Sequence, residues 1–399
     1  MLCTVIGILA GTASALFLVS LDWVGQYREA NMWLLALIPL VGLVIGLIYF
    51  YLGKEIESGN NLIIENIHIP TGKRIPVKMA PWVLITTLLT HLVGGSAGRE
   101  GTAIQMSGSL ADQLTRIIKL TYDDRKILLI ASIAAGFASV FGTPLAGAFF
   151  GLEVFLIGKI RYQTLLPALF AALIADYTTQ HIWHVGHTTY VIDIVPTLTP
   201  TTFAYAIVAG VCFGLTALLF IKSMHALTDL FKSVIIYPPL RPVVGGVFLT
   251  ALFYALYTLN GSTKFIGLGI PSIIDAFQHP AESYDFLLKL FFTVLTLSCG
   301  FKGGEVTPLF FIGATLGSAL SLVIPLPTAL LAGMGFVAVF AGATNTPIAC
   351  ILMAIELFGS NCGVFVAIAC VIGYLCSGDA GIYTSQIIGQ AKLEALKKE

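Results

Sequence analysis

The chain has 399 residues, of which 57% are hydrophobic and only 11% are charged. Soluble domains carry about 25% charged residues, so this composition cannot cover a water-facing surface, and one soluble core of this length is excluded. The 21 basic and 21 acidic residues balance, which argues against a nucleic-acid partner. The composition therefore predicts an all-α polytopic protein whose surroundings are the lipid bilayer.

Apolar runs close to the length that crosses a bilayer recur along the whole chain. The plausible full spans are 2–21, 33–52, 80–95, 103–119, 126–141, 202–223, 241–259, 286–299 and 328–342. Shorter apolar runs at 145–158 and 346–358 adjoin or contain a proline, and a third short run covers 364–376. Broken helices are tolerated in a membrane where they line a polar pathway. Only the tail 392–399 follows, so we expect one transmembrane domain and no soluble regulatory domain.

The cysteines and histidines give no sign of a bound metal or cofactor. Seven cysteines form no Cys-x-x-Cys pair and no Cys/His spacing, and several lie within apolar runs. Such cysteines behave as small buried side chains. We therefore expect neither a metal site nor a cofactor.

An internal repeat divides the chain. Residues 95–102 (Gly-Ser-Ala-Gly-Arg-Glu-Gly-Thr) line up without gaps on residues 300–307 (Gly-Phe-Lys-Gly-Gly-Glu-Val-Thr), at an offset of 205. Residues 137–153 and 336–356 also match, because each has two phenylalanines, then a proline, then a glutamate nine residues after the proline. Two homologous halves, roughly 1–200 and 201–399, are typical of transporters, whose site lies where the halves meet.

The first repeated loop is the leading candidate site. It joins two apolar helices, and its glycines leave backbone N–H groups free at a helix start, where the helix dipole also favours an anion. Arg99 and Glu100 stand between apolar segments, where charge is costly, so a functional role is the default hypothesis. The alternatives are a loop in interfacial water or a simple Arg99–Glu100 ion pair. Neighbouring residues on a helix point apart, which weakens the pairing.

Three further sets of residues could serve an anion path. Glu305 precedes a second apolar helix, and its carboxylate either caps that helix or carries protons. Asn60 and Asn61 begin a short apolar helix, where their amides either donate to a hard anion or cap the helix. Tyr383 either donates its hydroxyl into a pore or lies in an interfacial belt.

One enzyme motif competes with this interpretation. The spacing of Gly94, Ser96 and Gly98 matches the nucleophile elbow of serine hydrolases, and His91 is the nearby candidate base. That elbow requires a strand before the serine, whereas an apolar helical run precedes Ser96. An intramembrane serine hydrolase is therefore a remote alternative.

These motifs, in this order, resemble those of the CLC chloride channels and proton-coupled transporters, over nearly the whole chain. Residues 98–102 (Gly-Arg-Glu-Gly-Thr) resemble the family's GREGP, residues 304–308 its GxFxP, and residues 59–63 its GSGIP. Tyr383 stands where the family has a C-terminal tyrosine. The resemblance implies a CLC-type fold of two inverted repeats with broken helices, and a homodimer with one pathway per subunit. It also implies that Glu100 is the gating glutamate and carries the proton.

The departures from the family pattern resemble its fluoride-transporting branch. An asparagine, Asn60 or Asn61, replaces the coordinating serine, and Glu305 appears in the second loop. The inner proton glutamate of chloride/proton exchangers would align at Val154, so Glu305 is its expected substitute. Fluoride is strongly hydrated and requires close, strong donors, which asparagine supplies.

The resemblance thus predicts an antiporter, rather than an enzyme, that exports fluoride in exchange for entering protons across a bacterial inner membrane. Gating and proton coupling are assigned to Glu100 and Glu305. The anion path is assigned to Asn60, Asn61, Gly98, Arg99, Gly101, Thr102, Val306, Thr307 and Tyr383. The alternative is a chloride or nitrate transporter or channel of the same fold.

Overall fold

The structure is a computed structural model that describes residues 1–69 and 74–392. Residues 393–399 of the predicted tail lie outside the described residues. Within them the first eight α-helices are α1 (Leu2–Ala30), α2 (Ile38–Leu47), α3 (Asn60–His68), α4 (Met79–Leu92), α5 (Glu100–Gln113), α6 (Tyr122–Phe141), α7 (Pro144–Glu153) and α8 (Leu165–Tyr177). The other eight are α9 (Pro200–Val234), α10 (Arg241–Asn260), α11 (Ile270–Gln278), α12 (Asp285–Ser298), α13 (Val306–Leu320), α14 (Thr328–Thr344), α15 (Pro347–Phe358) and α16 (Gly363–Cys376). Two short strands, β1 (Leu156–Ile157) and β2 (Ile387–Ile388), pair in parallel.

Four stretches of the described chain are long and apolar enough to cross a membrane. They are Leu2–Ala30, Met32–Leu52, Pro200–Val234 and Pro238–Leu259. The prediction of full spans at 80–95, 103–119 and 286–299 is wrong, because α4, α5 and α12 have only 14 residues each. The sequence also failed to predict α8 and α11.

Glycine stops the short helices inside the protein. Just after α4 and α12 the chain passes through Gly94 and Gly300, with φ of +88° and +112°. Only glycine adopts such angles without a steric penalty. The chain therefore leaves the helix here, and the following helices, α5 and α13, begin in the interior rather than at the membrane surface.

The helix pairs α6–α7 and α14–α15 are built on the same local rule. Gly142 (φ 72°) ends α6 in the left-handed conformation, and Asn345 (φ 62°) ends α14 in the same way. Asparagine is one of the few side chains that tolerates this region. Pro144 and Pro347 then open α7 and α15, where a proline needs no hydrogen-bond donor.

Two glutamates show that the halves are inverted. At the end of α7, Glu153 accepts hydrogen bonds from the N–H groups of Ile348 (3.2 Å) and Ala349 (2.8 Å), at the start of α15. Glu356 in α15 accepts from the N–H groups of Leu145 (2.8 Å) and Ala146 (2.9 Å), at the start of α7. Each helix end thus meets the other helix's start, so α7 and α15 run antiparallel, as an inverted repeat requires.

The core between the halves also corrects the repeat alignment. The rings of Phe137 in α6 and Phe340 in α14 stack in nearly parallel planes, 6.1 Å apart, and both are fully buried. Phe137 lies four residues before the last residue of α6, and Phe340 lies four residues before the last residue of α14. Phe340 is therefore the counterpart of Phe137, whereas the sequence comparison had matched Phe336.

Candidate anion and proton site

The two glycine-rich loops pair with each other at the centre of the molecule. The N–H of Gly98 donates to the carbonyl of Gly304 at 2.6 Å, and the N–H of Gly304 donates to the carbonyl of Gly98 at 2.9 Å. Helices α5 and α13 begin two residues later. Their positive dipole ends therefore meet at one point, which is an arrangement that attracts an anion.

This pairing shifts the register of the repeat by one residue. Gly98 faces Gly304 rather than Gly303, and the residues that precede α5 and α13 are Arg99 and Glu305. The ungapped alignment at an offset of 205 is therefore wrong in this loop. Glu305 is the counterpart of Arg99, and Val306 is the counterpart of Glu100.

The Glu100 carboxylate occupies the meeting point of the two helices. Glu100 is fully buried, and its Oε2 accepts hydrogen bonds from the N–H groups of Arg99 (3.1 Å) and Thr307 (3.2 Å). Its Oε1 accepts from the hydroxyl of Thr307. The first residue of α5 in one half is thus held by the first turn of α13 in the other half. The carboxylate lies where an anion would bind.

Glycine is required on both sides of this carboxylate. A Cβ atom added at Gly98 would lie 2.7 Å from Oε2 of Glu100, and one added at Gly304 would lie 3.0 Å from it. These separations are below van der Waals contact. The predicted site residue Gly98 therefore lies at the site, where its role is to leave room for the carboxylate.

Arg99 and Glu100 do approach each other. The Nε of Arg99 lies 4.0 Å from Oε1 of Glu100, and the Arg99 side chain is mostly buried. The expectation that adjacent residues point apart is wrong here, because Arg99 precedes the helix and the Glu100 side chain folds back over the helix start. The ion pair is long, and Glu100 is held chiefly by Thr307.

Asn60 lies against the Glu100 loop, whereas Asn61 binds the segment that carries Tyr383. The Nδ2 of Asn60 would lie 3.0 Å from a Cβ at Gly101, and its Oδ1 is buried without a hydrogen-bond partner in the described residues. Asn61 instead accepts a hydrogen bond from the N–H of Ser385 at 3.1 Å. Neither amide caps α3, whose preceding residue is Gly59. Asn61 thus fastens the segment that carries Tyr383.

Tyr383 brings an unused donor to the same region. Its side chain is 4% exposed, and its hydroxyl has no hydrogen-bond partner among the described residues. It lies within range of an electrostatic interaction with Glu100 and Glu305. Buried hydroxyls nearly always have a partner, so this one is suited to an acceptor that enters the site. The interfacial-belt alternative does not fit a buried ring.

The remaining predicted residues divide between the centre and its margin. Val306 is fully buried at the start of α13. The hydroxyl of Thr102 shares a hydrogen bond of 2.7 Å with that of Thr87, on α4. The Glu305 side chain makes no hydrogen bond to another described residue and is partly exposed. Lys302 lies within reach of its charge.

The structure contradicts the serine hydrolase alternative. The hydroxyl of Ser96 is fully buried and shares a hydrogen bond of 3.0 Å with that of Thr293. The Nε2 of His91 donates to the carbonyl of Gly98 at 3.3 Å instead of facing Ser96. A helix, α4, precedes the serine where the nucleophile elbow needs a strand.

Comparison with known proteins decides the family. The model of the voltage gated chloride channel family matches residues 41–378. The chain belongs to this family, the CLC family. Its sequence is 52% identical to a chloride/fluoride channel protein of Pseudomonas syringae pathovar tomato, over 98% of this chain and 86% of the relative.

Solved structures of CLC proteins confirm the predicted fold. A crystal structure of a CLC-type fluoride/proton antiporter is 36% identical, with a TM-score of 0.93 over 97% of both chains. A slow cyanobacterial chloride/proton antiporter is 19% identical, with a TM-score of 0.80 over 96% of this chain and 95% of that one. At that identity the second likeness concerns the fold alone.

Two buried cations of this CLC protein escaped the sequence analysis. Lys289 in α12 is fully buried, and Arg28 near the end of α1 is 8% exposed. A lysine inside the apolar run 286–299 was a usable signal, since charge within a membrane segment marks function by default. Arg28 gave a weaker signal because it stands at the end of an apolar run.

Proposed function

We propose that this chain is a fluoride/proton antiporter that exports fluoride in exchange for entering protons. The observation that carries the proposal is the Glu100 carboxylate held at the start of α13 by the Thr307 N–H and hydroxyl. The 36% identity to a fluoride/proton antiporter over nearly the whole chain supports the choice of ions.

Exchange follows from the competition for one set of donors. When Glu100 is ionised, its carboxylate fills the anion site and blocks it. A fluoride ion that takes the donors displaces the carboxylate, which then binds a proton because it has lost its hydrogen bonds. Only one of the two, the anion or the ionised carboxylate, occupies the site at a time. This alternation couples fluoride movement to proton movement in the opposite direction.

The donors at the site suit fluoride. Fluoride loses its hydration shell only where protein groups that donate strong, short hydrogen bonds replace the water. The N–H and hydroxyl of Thr307, the amide of Asn60 and the unpartnered hydroxyl of Tyr383 are such groups. We propose that these residues line the anion path, and that Gly98, Gly101 and Val306 shape it.

We assign inner proton transfer to Glu305. The expected position of the inner glutamate is Val154, which is apolar and 2% exposed. Glu305 is partly exposed, makes no hydrogen bond to another described residue, and lies within electrostatic reach of Glu100. A carboxylate with these properties can exchange protons with water and with a nearby group.

The distribution of basic residues supports an orientation. The face at which α6 begins and α7 ends carries many basic residues, among them Lys54, Arg74, Lys78, Arg116, Lys119, Lys159, Arg161 and Arg241. On the opposite face the described loops and helix ends carry Arg28 and Lys264. The positive-inside rule makes the first face cytoplasmic.

The assembly and location complete the proposal. We place the chain in a bacterial inner membrane as a homodimer with one pathway per subunit, supported by its family and by its bacterial relative. Along the chain, the boundary between the two halves would lie between α8 and α9, near residue 200.

A chloride transporter or an uncoupled anion channel of the same fold is the second candidate. It is favoured by the name of the Pseudomonas relative, a chloride/fluoride channel protein. Transport rates of the two anions and the presence of proton uptake separate it from the first candidate.

The test uses purified protein in liposomes loaded with fluoride or chloride, with an ion-selective electrode and a pH electrode outside. We expect fluoride efflux with proton uptake, and little chloride efflux. Glu100→Gln should abolish proton uptake, because glutamine cannot ionise. Glu282→Gln, on the exposed surface, is the matched control. Comparable chloride efflux, or coupled transport by the Glu100→Gln variant, would contradict the proposal.

A further inference from the structure

A second polar region lies beside the Glu100 loop, in a cavity of about 820 Å³. The cavity opens on the face that carries few basic residues. The end of α1, the segment 183–188 and the loop before α11 surround it. Acidic side chains are on its exposed rim, at Asp22 and Glu29. Its lining also includes Arg28 and His91, which are buried, and Arg99, which is mostly buried. We call these three residues the cavity floor.

Two arginine nitrogens at the floor lack a hydrogen-bond acceptor in the described part of the chain; for Arg99 Nε, the nearest carboxylate oxygen of Glu100 is 4.0 Å away, beyond hydrogen-bond distance. The Nε atoms of Arg28 and Arg99 are buried, and neither has a hydrogen-bond partner in residues 1–69 and 74–392. Among the described residues, the Arg28 side chain donates one hydrogen bond, from Nη2 to Oε1 of Glu29 at 2.9 Å. A buried guanidinium donor without an acceptor is costly. Two such donors at the floor of one cavity therefore indicate a missing acceptor.

A third buried cation lies near the floor. Lys289, directly behind it, donates to the carbonyl oxygens of Gly267 (2.6 Å) and Phe265 (3.3 Å). Gly267 separates Lys289 from Arg28, since a Cβ on Gly267 would clash with Nη1 of Arg28. The buried acid nearest in sequence, Asp285, is engaged with Lys264 at 3.3 Å. No carboxylate is paired with Lys289 in the described residues.

We propose that the cavity floor is a second anion site, which holds a small monovalent inorganic anion against the Nε–H groups of Arg28 and Arg99. It lies outside the Glu100 site on the same side as the cavity mouth. An anion released past Glu100 reaches this site before bulk water. The identity of the physiological anion, fluoride, rests on the proposed function; the site itself does not.

The rim supplies a built-in competitor for the anion. The Glu29 carboxylate, 69% exposed, already binds one edge of the Arg28 guanidinium. Removing that charge should strengthen anion binding, and removing Arg28 should weaken it. The two variants therefore predict opposite shifts, which a merely structural arginine would not produce.

The test locates and titrates bromide, which needs neither an ion gradient nor proton coupling. In crystals of the full-length protein soaked in sodium bromide, we expect an anomalous peak within hydrogen-bond distance of Arg28 Nε. In solution, Arg28→Gln should weaken bromide binding at this site by about tenfold or more, the loss expected for a charge-assisted hydrogen bond. Glu29→Gln should tighten it. Arg74→Gln, an exposed arginine on the opposite face, is the matched control.

Each outcome decides the proposal. A crystal without a peak at the floor overturns it, and so does a Glu29→Gln variant whose bromide affinity is unchanged. The second variant keeps the test valid if Arg28→Gln does not fold. If the site binds bromide but liposomes show no coupled fluoride transport, the proposed function fails and the second site stands. If coupled fluoride transport occurs without a bound anion at the floor, only the second site fails.

Discussion

Two regions of the molecule contain the same type of hydrogen bond, from the backbone N–H groups at a helix start to a glutamate carboxylate, with different consequences. At the centre, the Glu100 carboxylate binds the first turn of α13 in the other half. At the periphery, Glu153 binds the first turn of α15, and Glu356 binds the first turn of α7. In all three a carboxylate accepts N–H groups at a helix start, where the dipole favours it.

The difference lies in symmetry and in the number of backbone amides. Glu153 and Glu356 form a reciprocal pair, and each holds two backbone N–H groups of the opposing helix. Glu100 has no such counterpart, since Val306 stands in its place, and α13 offers it one N–H and one hydroxyl. The peripheral pair thus clamps two helices together. Under the proposed function, the donors that hold the central carboxylate are those that an anion would take over.

The largest expected effect is on stability, at the clamp. Glu153→Ala leaves the N–H groups of Ile348 and Ala349 without an acceptor in a buried place. We expect a loss of about 3 kcal/mol in the free energy of unfolding, seen as a lower melting temperature of the detergent-solubilised protein. Proton coupling of the folded fraction in liposomes should persist.

Glu100→Gln is the comparison variant for this prediction. It should lose proton coupling while its melting temperature stays near that of the wild type, because a glutamine oxygen still accepts from Thr307. If Glu153→Ala instead kept its melting temperature and lost proton coupling, Glu153 would belong to the proton path and the comparison of the two regions would fail.

The centre was easier to find from the sequence than to align. The repeated glycines and charges identified both loops, and they lie together as expected. The register was wrong because the identical letters Glu100 and Glu305 favoured an offset of 205, whereas backbone pairing matches Gly98 with Gly304. Identical residues in the two halves occupy equivalent positions only where both halves have retained the residue of their common ancestor. The centre is where the halves diverged, since Glu100 in one half corresponds to Val306 in the other.

For the periphery, the sequence predicted the repeated proline and glutamate residues but not the role of the two glutamates. The proline-to-glutamate spacing marked both clamps, yet nothing in one sequence says that each glutamate reaches the helix of the other half. Helices α8 and α11 were missed for local reasons. Pro167 and Asp176 interrupt the first, and the nine-residue α11 lies in a polar stretch. Arg28 and Lys289 come together only through the fold.

A smaller effect is expected from a single donor at the centre. Thr307→Val keeps the shape of the side chain and removes the hydroxyl that donates to Glu100. If fluoride uses the same donor, its half-saturating concentration for efflux should rise roughly tenfold, the equivalent of about 1.4 kcal/mol. Thr307→Ser should restore most of the affinity.

Thr315→Val is the matched control for this change. Its hydroxyl lies further along the same helix and bonds the carbonyl of Phe311, so fluoride affinity should stay the same. Equal effects of the two valine variants would mean that the Thr307 hydroxyl acts through the packing of α13, and that the carboxylate does not stand in for an anion.

The smallest effect separates the two asparagines. Asn60→Ala removes an amide beside Gly101 and should raise the half-saturating fluoride concentration about fivefold, as expected for one hydrogen bond of about 1 kcal/mol. Asn61→Ala frees the N–H of Ser385 and acts on the site only through the Tyr383 segment. We therefore expect about a twofold change, measured in the same efflux assay. A larger effect of Asn61→Ala than of Asn60→Ala would place Asn61 on the anion path. Asn61 contacts the Tyr383 segment and not Gly101. The central site would then be built from α3 and the Tyr383 segment rather than from the starts of α5 and α13.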